Sequence, residues 1–213
     1  MTTTTAPSRT NAEMFFDPAC PWAWMTSRWL EQVEQVRDVD VTWSVMSLSV
    51  LNEGRELDPD YTAMLERTWL PVRTIVAATK DLEGKEANAL RKRMYDAYGE
   101  RIHLQGRGTD DLEQVTVEVL AELGLDPALA QVGGTDVVDE DLRASHQRAM
   151  DLVGDDVGTP VVAVEGVAFF GPVVTPAPKG EDAGRLWDGS LLVAGTPGFY
   201  ELKRTRTKGP DFG

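Results

Sequence analysis

The stretch Met14-Phe15-Phe16-Asp17-Pro18-Ala19-Cys20-Pro21-Trp22-Ala23-Trp24 decides the fold. The apolar residues up to Phe16 read as the end of a buried strand, and Asp17-Pro18 is a turn signal. Pro21 suits the first position of a helix, where its missing N–H would have had no partner. Met25 to Val33 continues with helical spacing. A strand that passes through one turn into a helix leaves Cys20 at the helix N-terminus. There the unpaired N–H groups and the macrodipole favour a thiolate. Cysteines so placed have their pKa lowered from about 8.5 into the range of about 3.5–7.5, which predicts a nucleophile at neutral pH.

Working outward, a strand is predicted over 12–17, a helix over 21–37 and a period-two strand over Val39 to Met46. This β-α-β unit puts Cys20 past the carboxyl end of its first strand, where open α/β sheets place their chemistry. Five helical segments follow: 61–79 with a kink expected at Pro71, 83–98, one from Thr109 to Gly124, a short one after Asp126-Pro127, and 135–153. Strand character returns over Pro160 to Val164. Glu165-Gly166 is a two-residue hairpin signal, and Val167 to Phe170 is the partner strand. A last helix is predicted over 181–193. This order predicts an α/β protein with the thioredoxin fold: a mixed central sheet carrying an inserted all-helical domain. The expected divisions are a disordered leader over 1–11, the first half of the fold over 12–60, the helical insertion over 61–155, the second half over 156–196 and an irregular tail over 197–213.

The chain has 213 residues, with 35 acidic against 21 basic side chains and a formal net charge of −14. Such a surface repels phosphate backbones and argues against a nucleic-acid partner. The short run Lys203, Arg204, Arg206, Lys208 reads as a solvated tail. No apolar stretch is long enough to span a membrane, and the N-terminal residues lack the apolar segment of a signal peptide, so a cytoplasmic protein is expected. One cysteine and two histidines argue against a structural metal. With a single cysteine the core, rather than a disulfide framework, must supply the stability. Monomer and homodimer are both left open.

Two further features converge on Cys20. Gly158-Thr159-Pro160 precedes the third strand, and in this fold a cis proline there faces the reactive cysteine. The backbone of Thr159 would then hold an extended thiol substrate by strand-like hydrogen bonds. Trp22 and Trp24 lie beside the thiol; Trp22 is a candidate apolar platform, and Trp24 reads as core. His103 and His146 are candidates for proton transfer, with a core-satisfied ring the stronger reading for each.

At these residues the sequence resembles the DsbA-like branch of the thioredoxin superfamily, and more closely the actinobacterial mycothiol-dependent nitroreductase group. The matching stretches are Phe16 to Trp22, Thr26 to Trp29, Val45 to Leu48 with Leu51 to Glu53, Arg101 to His103, Asp156 to Pro160, Gly166 to Pro172, and Glu201 to Arg206. The resemblance implies a cytosolic thiol oxidoreductase that takes electrons from mycothiol as co-substrate. It also implies that Asn52 and Tyr61 line the substrate pocket; the alternative for both is hinge capping. Ala23 departs from the pattern, because the best-known members carry a second, resolving cysteine there. Two origins fit the alanine: a native monothiol enzyme, or a replacement that traps an intermediate.

The expected function is a thiol-disulfide oxidoreductase in which Cys20 acts as a monothiol nucleophile on a mixed disulfide or small electrophile. Pro21, Trp22, Asn52, Tyr61, Thr159 and Pro160 are its expected thiol- and substrate-binding residues. Two alternatives stand beside it. One is a thiol-dependent isomerase or transferase of the hydroxychromene-carboxylate isomerase or kappa-class glutathione transferase type. The other is a redox sensor or binding protein without turnover. Partners are expected to be a low-molecular-weight thiol and a small aromatic or disulfide substrate.

Overall fold

A computed structural model describes residues 9–213. Its sheet has four strands in the order β2-β1-β3-β4, with β1 Thr10–Phe16, β2 Val39–Val45, β3 Val161–Val164 and β4 Val167–Phe170. β1 and β2 are parallel, whereas β3 runs antiparallel to both β1 and β4. A parallel pair needs a crossover, and helix α1, Pro21–Val36, supplies it. The expected mixed sheet of the thioredoxin fold is therefore present.

The leader ends earlier than the sequence suggests. Most of it lies outside the described residues, but Thr10 and Asn11 belong to β1 and pair with Val39 and Asp40. Threonine is β-branched and fits a pleated edge, a preference hidden by the polar run around it. At the other end β1 stops at Phe16, so Asp17 is free to turn. β3 begins after Pro160, which has no N–H to give the ladder. The hairpin turn is as expected: Glu165 and Gly166 have φ of 49° and 84°. Positive φ at both central positions marks the primed turn that matches strand twist.

Between β2 and β3 lie α2 Leu48–Leu51, α3 Pro59–Thr79, α4 Gly84–Gly99, a π-helical turn Glu100–Leu104, α5 Leu112–Leu123, α6 Ala128–Gly133 and α7 Asp139–Val153. α3 runs unbroken through Pro71. α8, Glu181–Ala194, closes the chain's regular structure. It docks on α1, where the buried Trp29 indole N–H donates to Ala183 O at 3.0 Å.

The core joins the sheet to the helical segment. Phe16 at the end of β1 stacks on Tyr95 of α4 with ring centroids 4.0 Å apart, and Trp24 of α1 meets the same Tyr95 edge-on. Trp24 is thus a core residue. Its ring lies directly against Gly99, where an added Cβ would fall 2.1 Å from a ring carbon. Neither α4 nor the Trp24 ring can retreat through packed neighbours. Gly99→Ala is therefore expected to lower stability by about 2–3 kcal/mol, the upper range for overpacking. A urea midpoint that falls at unchanged m-value would show this, and an unchanged midpoint would refute the close fit.

Candidate active site around Cys20

Cys20 is the N-cap of α1, with extended backbone (φ −80°, ψ 112°). Its Sγ accepts from the Ala23 N–H at 3.4 Å. It donates to the carbonyl of Thr159 at 3.5 Å, across 139 residues of chain. The Thr159–Pro160 peptide bond is cis. Strand β3 thus begins directly opposite the helix N-terminus, and thiol and carbonyl face each other. Thr159 Oγ1 is buried without a hydrogen-bond partner, so the same residue has further capacity to bind a polar group.

The thiol's protonation runs opposite to the expectation from its position. Cys20 is only 5% exposed, and burial pushes its pKa up to about 12. The Ala23 and Trp22 N–H groups and Arg206 pull it down, while Asp17 adds to the rise. A helix N-terminus favours a thiolate, but desolvation outweighs it here. Buried in this way, Cys20 is a thiol at neutral pH.

Asp17 is a site residue that the sequence presented only as a turn. It is fully buried, and its two oxygens accept from Ala19 N at 2.8 Å and Leu48 N at 2.7 Å. One carboxyl thus fastens the cysteine loop to the start of α2. Burial raises its pKa to about 7, against the lowering effect of those two N–H groups. No local signal in the sequence marks this role, because it depends on α2 bringing Leu48 N to the carboxyl.

Of the other candidates, Tyr61 lies exposed in the first turn of α3, within the electrostatic reach of both Cys20 and Asp17. Trp22 is half-buried at the start of α1 and carries the Arg206 guanidinium over its ring at 5.1 Å. Asn52 is engaged locally: it ends α2, and its Nδ2 donates to Leu48 O at 2.8 Å. Ala23 is wholly buried and contributes its N–H to the thiol sulfur. Both histidines have structural partners. His103 Nε2 bonds Pro18 O at 2.9 Å, and burial lowers its pKa to about 4, so the neutral ring is the donor. His146 Nδ1 accepts from Ser47 N at 3.3 Å. Among the described residues no three His, Cys, Asp or Glu side chains gather into a metal-binding group.

The tail is irregular, as expected, yet it is not simply solvated. Phe212 packs on His103 with centroids 5.4 Å apart, and Asp211 N donates to Thr175 Oγ1 at 2.7 Å. Together with Arg206 on Trp22, these contacts hold residues 206–212 against the Cys20 face. The segment has no periodicity, so only the aromatic Phe212 hinted at an anchor.

Comparison with known proteins agrees with this geometry. The model of the Rv2466c-like family, described as that of the mycothiol-dependent nitroreductase Rv2466c, matches residues 19–204. An uncharacterized Mycobacterium tuberculosis protein, Rv2286c, is 30% identical over 199 residues, 93% of this chain and 83% of its own. DsbA of Chlamydia trachomatis shares the fold with a TM-score of 0.56 at 11% identity, over 87% of this chain and 88% of that one. A 2-hydroxychromene-2-carboxylate isomerase does so with a TM-score of 0.53 at 15% identity, over 85% and 94%. No helix among the described residues is long and apolar enough to cross a membrane. With its cysteine at the start of α1 facing the residue before a cis proline, and a family match running from Ala19 to Arg204, the chain belongs to the Rv2466c-like family of DsbA-like, thioredoxin-superfamily oxidoreductases.

Proposed function

We propose that the protein is a monothiol oxidoreductase that uses mycothiol as co-substrate in a reducing cytoplasm. The observation that carries this reading is the facing pair of Cys20 Sγ and the Thr159 carbonyl, 3.5 Å apart. At rest the carbonyl accepts the thiol hydrogen and holds Cys20 protonated. A thiol substrate laid along β3 in strand fashion takes that carbonyl for its own N–H. Sγ then keeps the Ala23 and Trp22 N–H groups, donors that favour the thiolate. Binding thus releases the nucleophile, and Thr159 Oγ1 offers a second polar contact to the same ligand.

The reaction follows thiol-disulfide exchange. The Cys20 thiolate attacks the mycothiol sulfur of a mixed disulfide, forming Cys20–S–S–mycothiol and expelling the substrate as a thiolate, which takes up a proton. The thiolate of a second mycothiol attacks the mycothiol sulfur of that adduct. Mycothiol disulfide forms and Cys20 leaves as thiolate. Overall, the mixed disulfide and one free mycothiol become the substrate thiol and mycothiol disulfide, and the electron that the substrate sulfur gains is the one that the free mycothiol sulfur loses. Trp22 and Tyr61 form the walls beside the thiol.

The rival isomerase or transferase reading is favoured by one observation, the alanine at position 23, since such chemistry needs no second sulfur. Product analysis separates the two. Incubation with mycothiol and a mixed-disulfide or nitroaromatic substrate is expected to yield mycothiol disulfide in proportion to substrate reduced. Substrate converted with mycothiol unchanged overall would overturn the redox reading. A protein that binds the thiol and converts nothing would be a sensor.

A further inference from the structure

The Cys20 site contains a cation that does not come from the thioredoxin fold. Arg206 belongs to the tail, and its guanidinium stacks over the Trp22 ring. Trp22 is two residues from the thiol. The stack is set by contacts on the C-terminal side, Asp211 to Thr175 and Phe212 to His103, and Thr26 Oγ1 ties the Thr175 loop back to α1 through Pro172 O at 2.9 Å. Arg206 has no carboxylate within 4.0 Å among the described residues, although the chain carries 35 acidic side chains. Arg28, Arg37, Arg73, Arg101 and Arg107 by contrast each hold a carboxylate at 3.2 Å or less. An arginine stacked on an aromatic face keeps its N–H fork in plane, and that fork matches carboxylate, sulfonate or phosphate oxygens. A protein of net charge −14 repels anions, so a local cation is what would admit one to the thiol.

We propose that Arg206 is a specificity-determining residue of the Cys20 site, and that it favours small electrophiles bearing an anionic group over neutral ones of the same shape. The inference rests on Cys20 being the nucleophile but not on mycothiol being its partner. The flat face of Trp22 takes the body of the electrophile, and Arg206 takes its charge.

Paired alkylation tests it. Iodoacetate and iodoacetamide have nearly the same size and differ by one charge. Each reacts the same way: the Cys20 thiolate attacks the methylene carbon, a C–S bond forms, the C–I bond breaks and iodide leaves. Because both reagents consume the same thiolate, the ratio of their rates cancels thiol pKa and access to the buried sulfur. With one cysteine in the chain, intact mass assigns the product without ambiguity. At low ionic strength, Arg206→Ala is expected to lower the iodoacetate-to-iodoacetamide ratio by about three- to tenfold. Arg206→Lys should retain most of the ratio. One molar salt should bring the wild type down to the Arg206→Ala level, because screening then acts within about 3 Å. Arg185→Ala, on the exposed side of α8, removes the same net charge and should move the ratio less than twofold. An unchanged ratio in Arg206→Ala, or an equal fall in Arg185→Ala, would overturn the inference while leaving Cys20 as nucleophile. Failure of both reagents to modify Cys20 in the wild type would overturn the nucleophile itself, and the inference with it.

Discussion

Replacing Cys20 by serine is expected to abolish covalent capture of a small thiol and to lower turnover by at least about 10³-fold. A hydroxyl in this position would be as buried as the thiol, and nothing in the site lies placed to ionise it. Burial already pushes the thiol pKa up to about 12, and an alcohol is a far weaker acid. Wild-type protein mixed with mycothiol disulfide should gain the mass of one mycothiol, and Cys20→Ser should gain none. The free wild-type protein should also be slow to react. Its thiol pKa of about 12 means that the thiolate fraction rises about tenfold for each pH unit from 7 to 9, with no plateau. A Cys20→Ser protein retaining a tenth of the activity would end the proposed mechanism. A reactivity plateau below pH 8 would show that burial does not control the thiol.

The second large effect concerns Asp17. Its folded pKa lies at about 7, against 3.8 ordinarily, because the folded protein withholds water from the charge. A carboxyl whose pKa is raised by folding contributes stability that is complete below the unfolded pKa. That contribution is lost as pH rises through the folded value. The window is therefore about pH 4 to 7, and the full loss is about 4 kcal/mol. The stability difference between wild type and Asp17→Ala should shrink across this window by an amount of that order. Urea midpoints at half-unit pH steps would measure it. The alanine variant also leaves the Ala19 and Leu48 N–H groups without their acceptor, so it should be the less stable of the two at pH 4. A difference that stays flat from pH 4 to 8 would mean that the two N–H bonds fully offset the desolvation.

Local chemistry explains what the sequence revealed. Pro21 after Cys20 announced a helix start, alternation announced β2, and Glu165-Gly166 announced a primed turn; each signal spans only a few residues. What stayed hidden depends on distant chain. The protonation of Cys20 is set by its burial in the folded protein, which no local pattern reports. Asp17 looked like any turn aspartate until α2 was seen to bring Leu48 N to it. Arg206 sits in an aperiodic basic run, and its aromatic contact is Trp22, far earlier in the sequence. Tyr61 does stand near the thiol, but Asn52 is occupied at its own helix end, so two residues suggested by one resemblance have different surroundings.

Ala23 has a kinetic consequence. It offers no sulfur, and Cys20 is the sequence's one cysteine, so no internal disulfide can form. Under the proposed mechanism, a Cys20 adduct therefore has no internal exit. It persists until another small thiol arrives from solution, and its lifetime is inversely proportional to the concentration of that thiol. As the surrounding pool is depleted, more of the protein is held in the adduct, so the occupancy of Cys20 is itself a gauge of the supply of reducing equivalents.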